Sequence, residues 1–496
     1  MHNISGRAHL TQRTNAIQDS FSAPSKKSAR IFLAFVIFIF ALLWINATED
    51  ISLANELLAT LLGIMLLFPM YQWLRSYEMP IPFLGLISLH YFFIFCPPVF
   101  LGPIHFVGAV FSTVTEGEDL TRLLLAILLG SFSMFAGYYM IKPLRIKILP
   151  AFHITTTRSI KFFLFYLALS AFGFFLVPRL PGFLGKFGDI VFRVNGVVST
   201  YALAMFMYTG KLSKTQRNIF LGELLLFLMT SAATGWLSLV IYPVAGFLLG
   251  EIQVRRRLPL GKLVSIFVLI IALQTAKNTF RQEFWGEDLS GTQEPASISD
   301  AYERTAKWLQ LAFSNLADLE EGTKETALER ANHLSFFGHV FQSTPEHIPY
   351  LLGQSYRGIP AMLIPRFLWP EKPSTMQITD ELAIRYGWLS PEMSGKVAVS
   401  AGIMDEAYMN FGIPGIVSVM FLFGYFVRFL VDNFANTQYG LGWQLALLGF
   451  ILSGGIMITW TATNYLGGLW QTVAAIALLY WPLRVKKTRE RLLQRS

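Results

Sequence analysis

Apolar runs of roughly 15–22 residues recur along this 496-residue chain, and their length restricts its fold more than any other feature. A helix rises ~1.5 Å per residue, so ~20 apolar residues cross a ~30 Å hydrocarbon core. Inside that core every backbone amide needs a partner from its own element, which leaves helices or a closed barrel. Barrel strands need only ~9–11 residues, so runs this long are helical. Charged residues are 14% of the chain, against ~25% in a soluble domain. The sequence therefore specifies an all-α polytopic membrane protein.

About 12 crossings are expected: Ile31–Ala47, Leu57–Leu74, Ile81–Phe100, Thr121–Ile141, Lys161–Val177, Val197–Thr209, Ile219–Thr230, Trp236–Gly250, Leu263–Thr275, Phe411–Val431, Leu445–Trp460 and Leu466–Leu483. Basic residues collect in alternate connectors, as in Lys142/Arg145/Lys147/Arg158, Lys211/Lys214/Arg217 and Arg255/Arg256/Arg257/Lys262. Positive residues beside a span resist translocation, which predicts those connectors and both termini inside the cell. Residues Ile219–Gly250 are long for one crossing and short for two. A single crossing would carry the Arg255–Arg257 cluster outside, so two short crossings hinged near Ser231–Gly235 are expected, with the outer surface dipping into the bilayer there. Residues 1–30 read as a disordered cytoplasmic tail, 31–276 as spans 1–9, 411–483 as spans 10–12 and 484–496 as a basic tail.

The remaining stretch, Lys277–Asn410, has the opposite charge, with 18 Asp/Glu against 11 Lys/Arg in a chain of net charge +9. It reads as one large, mainly helical outer loop domain, with helices over Ile298–Glu320 and Thr323–Gln342. Thr326 and Glu329 stand at capping-box spacing. Six prolines from Pro345 to Pro373 break regular structure and predict an ordered but irregular segment over Pro349–Pro373. The net positive charge does not point to nucleic acid, because the cations lie beside apolar runs, where orientation accounts for them. The single cysteine, Cys96, lies inside a run, so the outer domain has no disulfide.

Four groups of residues bear on chemistry. On a helical wheel Arg330 falls on the apolar face, flanked by His333, with His339 opposite; an arginine there either snorkels or meets an anion. Ile364-Pro365-Arg366-Phe367-Leu368-Trp369-Pro370-Glu371-Lys372-Pro373 sets two cations on proline-stiffened backbone. Gly402–Gly412 carries Asp405, Glu406 and Tyr408 at the entrance to the tenth span, where acids serve a helix N-terminus or orient a ligand. Arg179, Lys186, Arg193 and Arg281 breach the charge rule at the outer interface and suit lipid headgroups or a polyanionic ligand. His90 and Glu223, alone within or near spans, are expected to be structural. No HExxH, Asp-x-Asp, Walker or GxGxxG motif occurs, so neither a metal nor a cofactor is expected.

The segments Gly353-x-x-Tyr356, Ile364–Pro373 and Glu406-Ala407-Tyr408-x-Asn410-Phe411-Gly412 resemble the outer-loop pattern of Wzy-type polymerases of O-antigen and exopolysaccharide repeat units, relatives of the O-antigen ligases. The layout of about 12 crossings with one late, large loop is similar too. The chain departs from the pattern at Ser231–Trp236, where related enzymes often carry an arginine. The resemblance implies a GT-C-like membrane glycosyltransferase in a bacterial inner membrane. It would move a growing glycan from undecaprenyl pyrophosphate to a hydroxyl of the next lipid-linked repeat, without metal and with a chain-length regulator as a possible partner. Arg193, Arg281, Arg330, Arg366, Lys372 and Tyr408 then become candidate substrate contacts. His333, His339 and Glu406 become candidate bases, in no order. The alternatives are an O-antigen ligase and a lipid-linked glycan flippase or transporter.

Overall fold

The computed structural model describes residues 26–48, 51–76, 81–100, 104–107, 112–146, 156–179, 188, 190–286, 294–317, 333–364, 369, 371, 375–394, 399–435 and 441–483. Helices dominate. In chain order they are α1 (Lys26–Ile45), α2 (Leu53–Ser76), α3 (Phe83–Phe95, extended by a turn to Phe100), α4 (Gly117–Met140), α5 (Thr156–Leu176), α6 (Asn195–Tyr208, after a π-helical turn from Ile190), α7 (Lys214–Ala233), α8 (Leu237–Arg255) and α9 (Leu260–Trp285). Then come α10 (Ile298–Ala317), α11 (His333–Ser343), α12 (Thr375–Arg385), α13 (Ile403–Leu430), α14 (Leu441–Phe450, continued by a π-helical turn to Gly455) and α15 (Ala462–Tyr480). Each of the twelve expected crossings overlaps one of these helices. Nine of the spans among the described residues are long and apolar enough to cross a membrane. The protein is a helical, multi-pass membrane protein.

The expected hinge after Ser231 is present, as Thr234-Gly235-Trp236 between α7 and α8, with Gly235 at φ 74°. The helices on either side are not short. They run 20 and 19 residues, about 30 Å each, because Ser213 and Gln216 form a reciprocal capping box that starts α7 early. The first turn of α7 is polar, with Lys214, Gln216 and Arg217, so its apolar part stays short although the helix does not. Similarly, α1 begins at Lys26, inside the stretch read as a disordered tail.

Close approach of α4 and α13 organises the centre. A methyl group at Gly137 would overlap the Phe421 carbonyl, and one at Gly424 the Met134 carbonyl, so the two backbones touch. Small residues permit such contact where lipid removes the hydrophobic drive between helices. Within α13, Gly412 turns to φ 64° and the helix changes direction. Tyr350 fills the space a side chain there would need.

Positive connectors mark one end of the bundle. Glu251, 1% exposed, accepts from Lys262 Nζ at 2.7 Å, Arg255 at 2.9 Å and the Tyr208 hydroxyl at 2.9 Å. The opposite end, called the acidic end below, carries the described residues between the end of α9 and the start of α13. It includes an antiparallel two-stranded ribbon that the sequence did not announce, β1 (Ile104–Val107) paired with β2 (Ser112–Thr115), Ile104 opposite Thr115. The ribbon lies against α11, where Gln342 donates to the Val114 carbonyl at 3.0 Å.

Overpacking a tight helix contact costs about 1–3 kcal/mol. Gly137→Ala and Gly424→Ala should each lower the thermal midpoint and yield of detergent-solubilised protein. Gly222→Ala, with open space around it, should leave both unchanged, and equal behaviour of the three would remove the close contact from the account of stability.

Candidate functional site

Gly402 ends an extended segment, and α13 begins at once with Asp405 and Glu406 in its first turn. Acidic groups suit that position because unpaired N–H groups and the helix dipole favour negative charge. Both are fully buried. Asp405 Oδ2 accepts from the Gly402 N–H at 3.0 Å and lies 2.6 Å from His333 Nε2. An oxygen already accepting from an amide is an acceptor here, so the imidazole donates from Nε2. A neutral His333 then holds its lone pair on Nδ1. This is the arrangement in which a carboxyl fixes the tautomer and orientation of a general base.

Glu406 Oε2 accepts from the Ala462 N–H at 2.6 Å, at the start of α15. Oε1 of Glu406 and Oδ1 of Asp405 have no hydrogen-bond partner among the described residues. Asn410, one turn on, donates to the Glu406 carbonyl and Ser355 Oγ, both at 2.7 Å, and accepts from the Gly353 N–H at 2.8 Å. The two motifs Gly353-x-x-Tyr356 and Glu406–Gly412 thus interlock. Ser355 also lines a polar cleft of about 150 Å³ with Gln354, Arg357, Glu381 and Arg385.

On the other side lies a cavity of about 230 Å³, lined by Phe174, Arg193, Val197, Phe227, Leu239 and Trp460 among others. The Arg193 guanidinium is paired with Glu294 and sits 5.3 Å from the Phe174 ring centre. The loop between α14 and α15 separates cavity from carboxyls. Its Trp460 faces the cavity, while its Ile458 carbonyl accepts from the Ile403 N–H at 3.0 Å. A Cβ on Gly402 would stand 3.0 Å from both His333 Nε2 and the Ile458 oxygen, so one glycine divides the imidazole from that loop.

The other sequence candidates fall elsewhere. Arg281 donates from Nε to the Gly235 carbonyl at 3.2 Å, its guanidinium 4.5 Å from the Trp236 ring and 4.3 Å from Trp285. It thus supplies an arginine to the α7–α8 junction, where Ser231–Trp236 itself has none. Both His339 ring nitrogens are engaged: Nε2 donates to the Tyr386 carbonyl at 3.0 Å, leaving Nδ1 to accept from Thr113 Oγ1 at 3.2 Å. Burial holds this imidazole below its ordinary pKa, against the opposing pull of the Tyr386 carbonyl. It pins β2 to the segment after α12 and is not brought to the carboxyls as a second base. Tyr408 donates to the Thr344 carbonyl at 3.2 Å and stacks on Phe341, a packing role. Arg330, Arg366 and Lys372 lie outside the described residues, as do the Thr326/Glu329 pair and Lys186.

Sequence reading left Asp405 and Glu294 without assigned partners. Asp405 stands 72 residues from His333 and Glu294 101 residues from Arg193, so no local spacing signals either pair. Among the described residues, no group of three or more His, Cys, Asp or Glu has the arrangement of a metal site.

No curated protein and no solved structure matches the chain. The pattern of a family described as a domain of unknown function (DUF8712) does match, over residues 34–465. That stretch runs from α1 into the first turn of α15, and the chain belongs to the DUF8712 family.

Proposed function

We propose that the protein polymerises lipid-linked oligosaccharide repeat units, as a metal-independent membrane glycosyltransferase of GT-C-like architecture in a bacterial inner membrane. In this reading all twelve helical segments cross, the acidic end faces outward and both termini are cytoplasmic, in keeping with the basic connectors opposite. The observation that carries it is the His333–Asp405 pair, one glycine from the loop that walls the Arg193 cavity.

The apolar wall of Val194, Val197, Phe227 and Leu239 suits a polyprenyl chain, and Arg193 at the same cavity suits its pyrophosphate. The acceptor hydroxyl gives its proton to His333 Nδ1 as its oxygen bonds to the anomeric carbon. The bond from that carbon to the pyrophosphate oxygen breaks, and the leaving group departs with the electron pair. Arg193 stabilises the charge that develops there. The cleft above Ser355, bearing Arg357, Glu381 and Arg385, offers polar groups to a glycan.

One observation favours the transporter alternative. Gly412 breaks α13 six residues after the buried Glu406, and Gly454 breaks the turn that continues α14, a feature of transporters with discontinuous helices. Purified protein in detergent, given a single lipid-linked repeat unit, separates the readings. A polymerase yields a ladder of products without any membrane, a ligase yields none without its separate acceptor, and a transporter yields none at all.

His333→Ala and Asp405→Asn should each reduce polymer formation by about 10²-fold or more, within the usual range for general-base catalysis. Arg193→Ala should cost about 10²–10³, by analogy with loss of one donor to a developing oxyanion. Lys307→Ala should stay near wild type, and EDTA should leave all rates unchanged. Normal polymer from His333→Ala at matched membrane levels would overturn the assignment.

Orientation has its own test. In sealed cells a membrane-impermeant maleimide should modify Glu346→Cys and spare Lys214→Cys. The reverse pattern would put the proposed site on the wrong side.

A further inference from the structure

Helix α10 divides sharply in composition. Its first half, Ile298–Lys307, holds Asp300, Glu303, Arg304 and Lys307; its second half, Trp308–Ala317, holds no charge. In the structure α10 runs antiparallel to α9. Arg304 lies 5.2 Å from the Phe284 ring and Lys307 3.5 Å from Glu283, near the end of α9. Farther along, the Trp308 indole donates to the Leu273 carbonyl at 3.0 Å and the Asn315 amide to the Thr275 carbonyl at 3.5 Å. Thr305 reaches α7 as well, donating to the Met229 carbonyl at 2.9 Å.

The depth of those carbonyls follows from α9, a candidate span across which Val264, Phe267, Val268, Leu269 and Ile271 are exposed. Trp236 and Trp285 flank Arg281 at its far end, the kind of aromatic and cationic cluster that settles at a membrane interface. Thr275 is ten residues closer to the other end than Trp285, or about 15 Å along the helix axis. A segment bonded to Thr275 and Leu273 is therefore well below the headgroups. Its outward face matches that depth: Phe313 is 60% exposed, and the Ser314 hydroxyl is satisfied by the Leu311 carbonyl of its own helix. Higher up, Tyr302 is 65% exposed, and Arg304 is bonded to Asp300 at 2.7 Å.

We propose that α10 is a partly inserted membrane helix, its charged half in the headgroup layer and its uncharged half, with Phe313, against the acyl chains of the leaflet at the acidic end. The lipid surface it meets continues the exposed face of α9. It is thus not part of a solvated loop domain, although it lies between two spans in the sequence. Arg304, within the charged half, is 9% exposed, packed on Phe284 and bonded to Asp300. The inference stands independently of any enzymatic activity.

The test uses nitroxide labels on Phe313→Cys, Tyr302→Cys and Glu371→Cys in liposomes. Cys96 is fully buried and stays unlabelled in the folded protein. Collision rates with oxygen, which concentrates in lipid, and with an aqueous nickel chelate give the depth of each site. The oxygen-to-nickel ratio at Phe313→Cys should exceed that at Glu371→Cys several-fold, with Tyr302→Cys between them. A water-like ratio at Phe313→Cys would overturn the proposal by making α10 a solvated helix. Low rates with both reagents would overturn it equally, since a second copy of the chain would then cover the face.

Discussion

The backbone contact between α4 and α13 fixes most of what matters at the acidic end. Gly137 and Gly424 bring carbonyls of the opposite helix to where a methyl group would sit, and Gly130 admits Ile416 and Met404 in the same way. Met404 immediately precedes Asp405. The acidic end of α4 also reaches α11, through Asp119 and Gln342 at 3.4 Å. One helix pair therefore sets the position of the carboxyls through α13 and of His333 through α11. Because lipid gives helices no hydrophobic reason to prefer one another, shape at such glycines carries much of the specificity.

Electrostatics imposes the second constraint. A buried charge without a partner costs several kcal/mol, and the ionic groups of this interior meet that demand in different ways. Glu251 gathers Lys262, Arg255 and Tyr208, a closed set with no oxygen to spare. Arg281 packs between two indole faces and bonds the Gly235 carbonyl. Asp405 and Glu406 are the contrast. Each has one oxygen fully used, by an imidazole and an amide or by the α15 N-terminus, and one oxygen buried without a partner.

Much of the fold was legible because the bilayer reduces a helix to a length and a composition. Every expected crossing overlaps a helix, and the Gly235 hinge stands where the charge argument required a turn. Arg193 and Arg281 stood out as misplaced cations, and both sit at the α7–α8 junction, the first beside a cavity that includes Ser231 and the second on Gly235 itself. What stayed hidden depends on pairing across distance. The β1–β2 ribbon is only four residues a strand, too short for periodicity to register. The role of His339 depends on a carbonyl 47 residues away, which its place on a helical wheel opposite Arg330 could not reveal.

The depth of α10 gives the two proposals a common edge. Thr305 grips Met229, two residues before Ser231, which lines the Arg193 cavity. Glu294, four residues before α10 begins, is the carboxylate now paired with Arg193. The cavity and the lipid-facing side of α10 are thus separated by little more than α7 and the segment leading into α10. A substrate held in the membrane by a polyprenyl chain need not enter from water. It needs a boundary where the leaflet meets the anion site, and a carboxylate that a phosphate displaces from its arginine at little electrostatic cost, because one anion replaces another. An arginine left bare beside that apolar wall would instead bear the full penalty of desolvation. On the proposed reading Glu294 is the counter-charge that a substrate phosphate would replace, and its pairing with Arg193 keeps the start of α10 close to the cavity it borders.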